Sequence, residues 1–195
     1  MPYTAEHKAR TRARIVESAR VMFNRHGFDQ VSIDDVMKQA GLTRGGFYNH
    51  FSSKDELYAE AVRSFTTCNP FAKRQETRKG PAPSSRRLAS ELIDLYLSDE
   101  ILGDVDQHCP LIALPSDVAR AGLEPRAAYT TLMENMVHAF RAAFPENDKD
   151  AERKAHLIVS LCVGGMVLAR TTDDPRLRRK LRASARAEVL ALLER

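Results

Sequence analysis

Apolar residues recur at three- and four-residue spacing along most of the chain, which is the period of helices that bury one face. Over residues 6–26 the apolar side of this pattern includes Ile15, Ala19 and Phe23, and Gly27 is placed to end the helix. We find no convincing strand pattern and no internal repeat. The pattern therefore predicts an all-α protein of about nine helices.

The next segment predicts two short helices with almost no chain between them. Ser32 suits an N-cap, with the acid Asp35 at the third helical position, and Gly41 is placed to close this second helix. Leu42 alone separates Gly41 from Thr43, another residue suited to capping, so a third helix has to begin after a sharp turn. The spacing predicts a helix-turn-helix over residues 32–51.

Further along, Ser53 and Glu56 have the spacing of a capping box ahead of a fourth helix. Residues 69–85 hold three prolines and a glycine without an apolar period, so we expect a domain linker or a mobile loop there. Later helices are predicted near residues 88–96, between Pro125 and Pro145, over 150–170, and from Asp173 or Asp174 to about residue 193, with an irregular stretch at 103–115. We expect a domain at 1–65 and another at 66–195.

Charge and composition restrict the class of protein. The 195 residues carry a formal charge of +4, and residues 8–25 hold six basic side chains against the single acid Glu17, which predicts a phosphate-facing end. Three scattered cysteines without a paired spacing favour a reducing cytoplasm. The longest apolar stretch, 157–169, is short for a membrane span, and no signal peptide pattern opens the chain. We therefore expect a cytoplasmic protein outside the membrane.

The segment from Ser32 to Leu57, SIDDVMKQAGLTRGGFYNHFSSKDEL, resembles the helix-turn-helix of the TetR family of bacterial regulators. Upstream, Ile15, Ala19, Phe23, Gly27 and Phe28 also match that family's first helix and its glycine-aromatic turn, so the resemblance covers roughly the first 65 residues. It implies a three-helix DNA-binding domain followed by a helical domain for ligand binding and dimerisation. It also implies a repressor that a small molecule releases from a palindromic operator.

Within this motif the resemblance assigns phosphate contact or helix orientation to Thr43, Tyr48, His50 and Lys54. Arg44 and Asn49 are the candidates for reading bases, because arginine can pair with guanine and asparagine with adenine through two hydrogen bonds. Phe47 and Phe51 can supply the buried face, and the glycines let the backbone approach DNA. The predicted DNA-binding residues are Ser32, Thr43, Arg44, Gly45, Gly46, Tyr48, Asn49, His50 and Lys54.

The resemblance also implies a homodimer, in which the last two helices of each copy form a four-helix bundle. Two related recognition helices read half-sites about 34–36 Å apart, whereas one reads few bases. The candidate interface residues are Leu161, Gly164, Gly165, Leu168, Leu177 and Leu181. The final helix also carries a basic run, which we interpret as a solvated face in preference to a second nucleic-acid site.

A ligand pocket is the remaining expectation for the C-terminal half. Its candidate walls combine aromatic and sulfur-containing surface on the central helices, although ordinary core packing is the favoured interpretation of such residues: Phe65, Leu95, Met133, Met136 and Phe140. Few acids lie inside these helices, which favours a small apolar ligand, neutral or anionic. The three cysteines are interpreted as inert thiols, and Cys109, next to His108, is the preferred candidate if one of them senses oxidants.

Two other classes of protein compete with a regulator. An enzyme needs a nucleophile with a base, a metal cluster or a phosphate loop, and the sequence offers no such pattern, so we expect no catalytic residues, no cofactor and no metal. An architectural protein would use the basic end to bind any double-stranded DNA without ligand control. The sequence does not specify the operator, the ligand, the regulated genes, or repression rather than activation.

Overall fold

The computed structural model describes residues 5–194, and every regular element in that range is helical, as the apolar period predicts. The count is eleven α-helices rather than about nine. The helices are α1 (Ala5–His26), α2 (Ile33–Gln39), α3 (Lys54–Ser64), α4 (Pro70–Glu76), α5 (Ser85–Tyr96), α6 (Asp99–Gly103), α7 (Pro110–Ala113), α8 (Pro115–Arg120), α9 (Leu123–Arg141), α10 (Ala151–Thr171) and α11 (Pro175–Glu194). Two 3₁₀ helices, Arg44–Asn49 and Val105–Gln107, complete the described elements.

Two of the helices that the sequence did not predict, α4 and α7, lie where it predicted irregular chain. Helix α4 lies inside the predicted linker: the Asn69 side chain accepts a hydrogen bond from the Ala72 amide at 2.8 Å, and Pro70 occupies the first turn. These two signals start a helix without help from packing. None of the α4 residues is buried, so the segment carries no apolar period, and the expectation of a loop there was wrong.

The chain forms two compact units, each made of two separate segments. The first unit contains the residues up to Thr67 together with Cys109–Leu132, and the second contains Cys68–His108 together with the residues from Met133 onward. This division differs from the expected boundary between residues 65 and 66, because 109–132 belongs to the first unit. A functional division of the chain at that boundary stays a prediction.

In the first unit, helix α1 packs against α3. Phe23 is 1% exposed, as its place in the apolar pattern predicts, and its ring meets the edge of the Tyr58 ring at 5.0 Å between centroids. Tyr58 also stacks on Phe28 at 4.5 Å. Between the two phenylalanines, Gly27 adopts φ +79°, a conformation that side chains other than glycine rarely adopt. The turn after α1 is therefore fixed by Gly27 and by an aromatic cluster.

In the second unit, helices α10 and α11 pack along one another. A Cβ at Gly165 would lie 2.9 Å from the Cβ of Ala185, so the missing side chain allows this close approach. Among the described helices, α10 alone has the length and composition of a membrane span, with a mean hydropathy of 1.3 over 18 residues. One such helix is weak evidence for a membrane span, and α10 packs along α11 within the second unit.

Candidate nucleic-acid interface

Helix α2 is fixed at both ends by local hydrogen bonds. The Ser32 hydroxyl accepts from the Asp35 amide at 3.1 Å, and the Asp35 carboxylate accepts from the Ser32 amide at 2.9 Å, which forms a reciprocal capping box. The Ser32 hydroxyl also donates to the Asp35 carboxylate at 2.5 Å, and this bond, followed by the one from the Ser32 amide, lowers the pKa of Asp35 below its usual value. Gly41, at φ +65°, turns the chain at the other end. The predicted cap and the predicted glycine stop are both confirmed.

The element after this turn is a 3₁₀ helix of six residues, Arg44–Asn49, rather than the expected α-helix. Thr43 lies at its N-cap position, but its side chain makes no capping hydrogen bond. Gly45 and Gly46 follow directly, and each costs about 1 kcal/mol in helix propensity. With so little local support, the segment adopts the tighter winding found in short helical pieces. We call residues 44–49 the recognition segment.

The recognition segment is held in place by aromatic side chains. Phe47 is fully buried and Phe51 is 2% exposed, and their rings stack at 5.6 Å between centroids. Tyr48 extends the other way and is 63% exposed, with its ring at the edge of Phe47. The prediction that the two phenylalanines form the buried face is confirmed. Within this short helix, Phe47 is thus buried and anchors the segment, while the next residue, Tyr48, is exposed to solvent.

Arg12 of α1 anchors the end of this segment, a role that the sequence did not indicate. Its guanidinium lies 4.0 Å from the centre of the Phe51 ring and donates a hydrogen bond to the His50 carbonyl. The same group pairs with Glu60 of α3 at 3.0 Å and with Glu56 at 3.4 Å. Spacing along the sequence does not relate Arg12 to partners about 40 residues away. In the sequence it is one of six basic residues of the opening segment.

The predicted DNA-binding residues lie in one unit, on α2, the recognition segment and the start of α3. Most are exposed: Ser32, Thr43, Arg44, Gly45, Tyr48 and Asn49; Gly46, His50 and Lys54 are partly exposed. A Cβ built on Gly45 would meet no atom within 4 Å, so the backbone there borders open space. Arg44 donates to the Asp34 carboxylate at 3.0 Å, and both side chains remain more than half exposed.

Two of these residues also have structural roles within the unit. The Ser32 hydroxyl takes part in the capping box, and Lys54 donates to the Phe28 carbonyl while lying 4.1 Å from the centre of the Phe28 ring. Burial lowers the pKa of Lys54. Lys54 therefore ties the start of α3 to the turn after α1, a contact that the capping-box reading of this region did not suggest.

A cleft of about 550 Å³ separates α1 from the helix-turn-helix. His7, Lys8, Thr11 and Arg14 line it from α1, and Thr43, Asn49 and His50 are among the residues on the other side. Burial is the main cause that lowers the pKa of His50, followed by the charges of Lys8, Arg12 and His7. This concentration of positive charge has the sign and the location that suit a DNA phosphate.

The five candidate pocket residues do not all belong to one unit. Phe65 is buried in the first unit, and the other four lie in the second. Leu95 lines a cleft of about 380 Å³ whose other walls are largely charged, including Arg74, Arg78, Glu91, Asp94 and Glu100. Met133 is 40% exposed, whereas Phe140 is fully buried. An apolar pocket formed by the five residues stays a prediction.

The candidate dimer residues divide between two roles. Leu161, Gly164 and Leu168 share one face of α10, where Leu168 is 55% exposed, and Leu177 of α11 is 43% exposed; Leu181 is partly exposed. Gly165, in contrast, faces Ala185 of α11 within the same chain. The helical spacing could not separate these two neighbouring glycines. For Gly165, close packing inside the unit is the role that the structure shows.

The possible metal ligands and the cysteines of the described residues bear on the expectations for metal binding and redox chemistry. Over residues 5–194, no group of three or more His, Cys, Asp or Glu side chains is placed to hold a metal ion. Cys109 is a free thiol but is 5% exposed, and its neighbour His108 is 1% exposed, which disfavours the proposed redox role. Burial raises the pKa of Cys162 to about 12, as expected for an inert thiol.

Comparison with known proteins agrees with this geometry. Residues 15–61 match the family model for bacterial regulatory proteins of the tetR family. The HTH-type transcriptional regulator TtgR of Pseudomonas putida is 41% identical over 99 residues, which cover 49% of this chain and 47% of TtgR. The regulator YdgC of Bacillus subtilis is 26% identical over 191 residues, covering 94% of this chain and 90% of YdgC.

The whole described fold is similar to solved regulators. A TetR-family transcriptional regulator from Cytophaga hutchinsonii superposes with a TM-score of 0.75 over 98% of this chain and 96% of its own, at 19% identity, a likeness that concerns the fold alone. Against several curated relatives the match spans between 25% and 56% of the relative's length. The family-model match over residues 15–61 contains all of the predicted DNA-binding residues.

Proposed function

We propose that this chain, whose residues 15–61 match the family model for bacterial regulatory proteins of the tetR family, is a cytoplasmic transcriptional repressor that a small molecule releases from its operator. One observation carries the proposal: the recognition segment is held from behind by Phe47 and Phe51, while Arg44, Tyr48 and Asn49 are exposed on its free side. A short element that is rigid on one side and polar on the other suits the major groove.

The exposed residues have two roles in DNA binding, which are base reading and phosphate contact. Arg44 and Asn49 have the donors and acceptors that distinguish base pairs, so they would provide specificity. Thr43, with a hydroxyl that no cap uses, and the basic cleft beside α1 would contact phosphates and set the register. Nonspecific attraction therefore comes from one set of groups and sequence preference from another.

We further propose that the regulator binds as a homodimer through α10 and α11. Leu168 and Leu177 expose apolar surface on these helices, and Leu161 and Gly164 extend the same patch on α10. Burial of such surface between two copies is favourable, and a two-fold pair of recognition segments would read a palindrome. A Cβ built on Gly164 would meet no described atom within 4 Å other than those of its own stretch of helix, which leaves room for a neighbouring helix.

Ligand control is the remaining part of the proposal. A small molecule can lower operator occupancy only if it binds more tightly to a conformation with weak affinity for DNA. Coupling of about 1–3 kcal/mol is sufficient for a useful switch. A ligand of this kind is detected as a rise in the unfolding temperature of the protein together with loss of the DNA complex.

The experiment that tests this function is selection of DNA by the full-length protein from a randomised duplex library. We expect enrichment of a palindrome with half-sites centred about 34–36 Å apart. Excess random duplex should then leave binding to the enriched DNA largely intact. Equal competition by random and enriched DNA would contradict specific regulation and would favour the architectural class.

Variants of the enriched complex separate base reading from phosphate contact. Arg44→Ala should lose discrimination at one base pair per half-site, worth about 1–3 kcal/mol. Tyr48→Phe should lower the affinity for all duplexes to a similar extent. Arg176→Ala removes an exposed arginine from α11 and serves as the charge-matched control, with little change expected. Loss of discrimination in the control variant would contradict the assigned role of Arg44.

A further inference from the structure

The strongest unassigned feature of the interface is an acid beside the candidate base reader. Asp34 lies in the first turn of α2, and its carboxylate accepts a hydrogen bond from Arg44 Nη1 at 3.0 Å. We propose that Asp34 is a specificity-determining residue: it orients the Arg44 guanidinium toward a guanine and disfavours contact with DNA of other sequences. The inference rests on the proposed function, because it concerns the same DNA-binding surface.

The placement of Asp34 is electrostatically unfavourable for simple DNA binding. It is exposed on the surface that carries Thr43, Arg44 and Asn49, where the negative phosphates of a duplex would approach. An unpaired carboxylate there repels DNA of any sequence. Its partner Arg44 offsets this charge, so the two side chains together present almost no net charge. The pair therefore adds little to nonspecific attraction.

The hydrogen-bonding capacity of Arg44 allows it to serve two partners. Arginine has five N–H donors in a planar fork, and one contact with Asp34 leaves donors for the two acceptors of guanine. A guanidinium fixed by a carboxylate also loses less conformational freedom on binding, which favours the correctly placed base pair over others. Gly45 and Gly46 follow Arg44 and add no side chain beyond Cα beside the fork.

A contribution to folding stability does not explain the Asp34–Arg44 ion pair. Arg44 and Asp34 are 65% and 54% exposed, and such ion pairs contribute little to folding because water screens them. The capping function at this helix start is already performed by Ser32 and Asp35. Removal of the Asp34 charge should therefore leave the unfolding temperature almost unchanged while it alters DNA recognition.

The test compares four proteins: wild type, Asp34→Asn, Arg44→Ala and the double variant. Each is titrated with the duplex enriched by the wild type, with single base-pair replacements of that duplex, and with random duplex. Glu6→Gln is the matched control, since it removes the same charge from an exposed ion pair of the same unit, with Arg10 at 3.7 Å. Thermal unfolding of every variant monitors the fold.

We expect Asp34→Asn to bind random duplex more tightly and to lose roughly tenfold in preference at the base pair that Arg44 reads. The double variant should lose no more preference than Arg44→Ala alone, because Asp34 acts through Arg44. Glu6→Gln should change affinity for all duplexes alike and preserve the preference.

Three results would overturn the inference. Asp34→Asn could keep the full base-pair preference, which would leave it with a charge effect only. In the Arg44→Ala background, Asp34→Asn could remove preference at a base pair that Arg44 does not read. That result would make Asp34 a direct reader of cytosine. Failure of the wild type to enrich any sequence would overturn the proposed function as well, whereas the first two results leave that function standing.

Discussion

At the scale of single residues, Arg12 shows how one side chain can set the position of a DNA-binding element. Its guanidinium lies against the Phe51 ring, binds the carbonyl at the end of the recognition segment and pairs with Glu60 of α3. These contacts use the planar fork and the charge of arginine together, which a lysine cannot reproduce. Arg12 is therefore a positioning residue for the recognition segment.

The substitution Arg12→Ala tests this role. We expect the free energy of unfolding to fall by about 1–3 kcal/mol, because hydrogen bonds to a partly buried charged group are lost. We also expect a larger fractional loss of affinity for enriched DNA than for random DNA. Calorimetry and DNA titration provide the two measurements. Arg10→Ala, at a position where the side chain is 76% exposed, is the control, and an equal effect there would refute positioning.

His108 provides a prediction about pH. Burial, and then the charge of Arg170, lower the pKa of His108 below its ordinary value of 6.5. Below about pH 6.5 the unfolded chain takes up a proton that the folded chain does not, so stability falls as pH falls, by at most about 1.4 kcal/mol per pH unit. His108→Gln should flatten this dependence between pH 7 and 5 in denaturant titrations. Equal slopes in the wild type and in His108→Gln would disprove the assignment.

At the scale of elements, the neighbouring glycines of α10 have different surroundings. A Cβ added to Gly165 would lie only 2.9 Å from the Cβ of Ala185, whereas a Cβ added to Gly164 would meet no described atom within 4 Å other than those of its own stretch of helix. Helix spacing alone groups both with the exposed apolar face. The difference arises from the direction of each Cα–Cβ bond relative to α11, which is a property of packing between helices.

We therefore expect opposite effects from the same substitution at these two positions. Gly165→Ala should destabilise the chain by about 1 kcal/mol or more, because overpacking costs more than the gain in helix propensity. Gly164→Ala adds a methyl group that meets no neighbour within its own unit, so at protein concentrations low enough to dissociate the proposed dimer it should leave the unfolding temperature unchanged or raise it, since alanine is the better helix former. Thermal unfolding of the two variants at equal concentration is the measurement. A stabilised Gly165→Ala protein would contradict the close approach of α10 and α11.

The sequence predicted elements well where a local signal was strong. The Ser32 cap, the Gly27 and Gly41 stops and the buried Phe47 were all readable from spacing. Helix α4 was missed because it buries no residue, and the 3₁₀ winding of the recognition segment was missed because periodicity does not separate it from one α-helical turn. Long-range contacts such as those of Arg12 leave no local signal in the sequence, so only the folded structure shows that part of the site.

At the scale of the whole molecule, the proposal requires two copies of the chain. Leu168→Glu places a charge on the exposed apolar face of α10, which should dissociate a homodimer by desolvation and repulsion without unfolding either unit. Sedimentation at several protein concentrations gives the mass. Leu123→Glu, at a leucine of the first unit that is 87% exposed, should leave the mass unchanged. A Leu168→Glu protein that keeps the wild-type mass would rule out this face as the interface.

The central claim is that residues 32–51 present the recognition segment to base pairs while Phe47 and Phe51 hold it from behind. Hydrogen–deuterium exchange of the full-length protein, free and with saturating enriched duplex, tests this claim most directly. We expect the DNA to slow exchange most strongly at the amides of 43–50, and random duplex at equal occupancy to slow it less. Unchanged exchange there, with protection confined to other segments, would contradict the account.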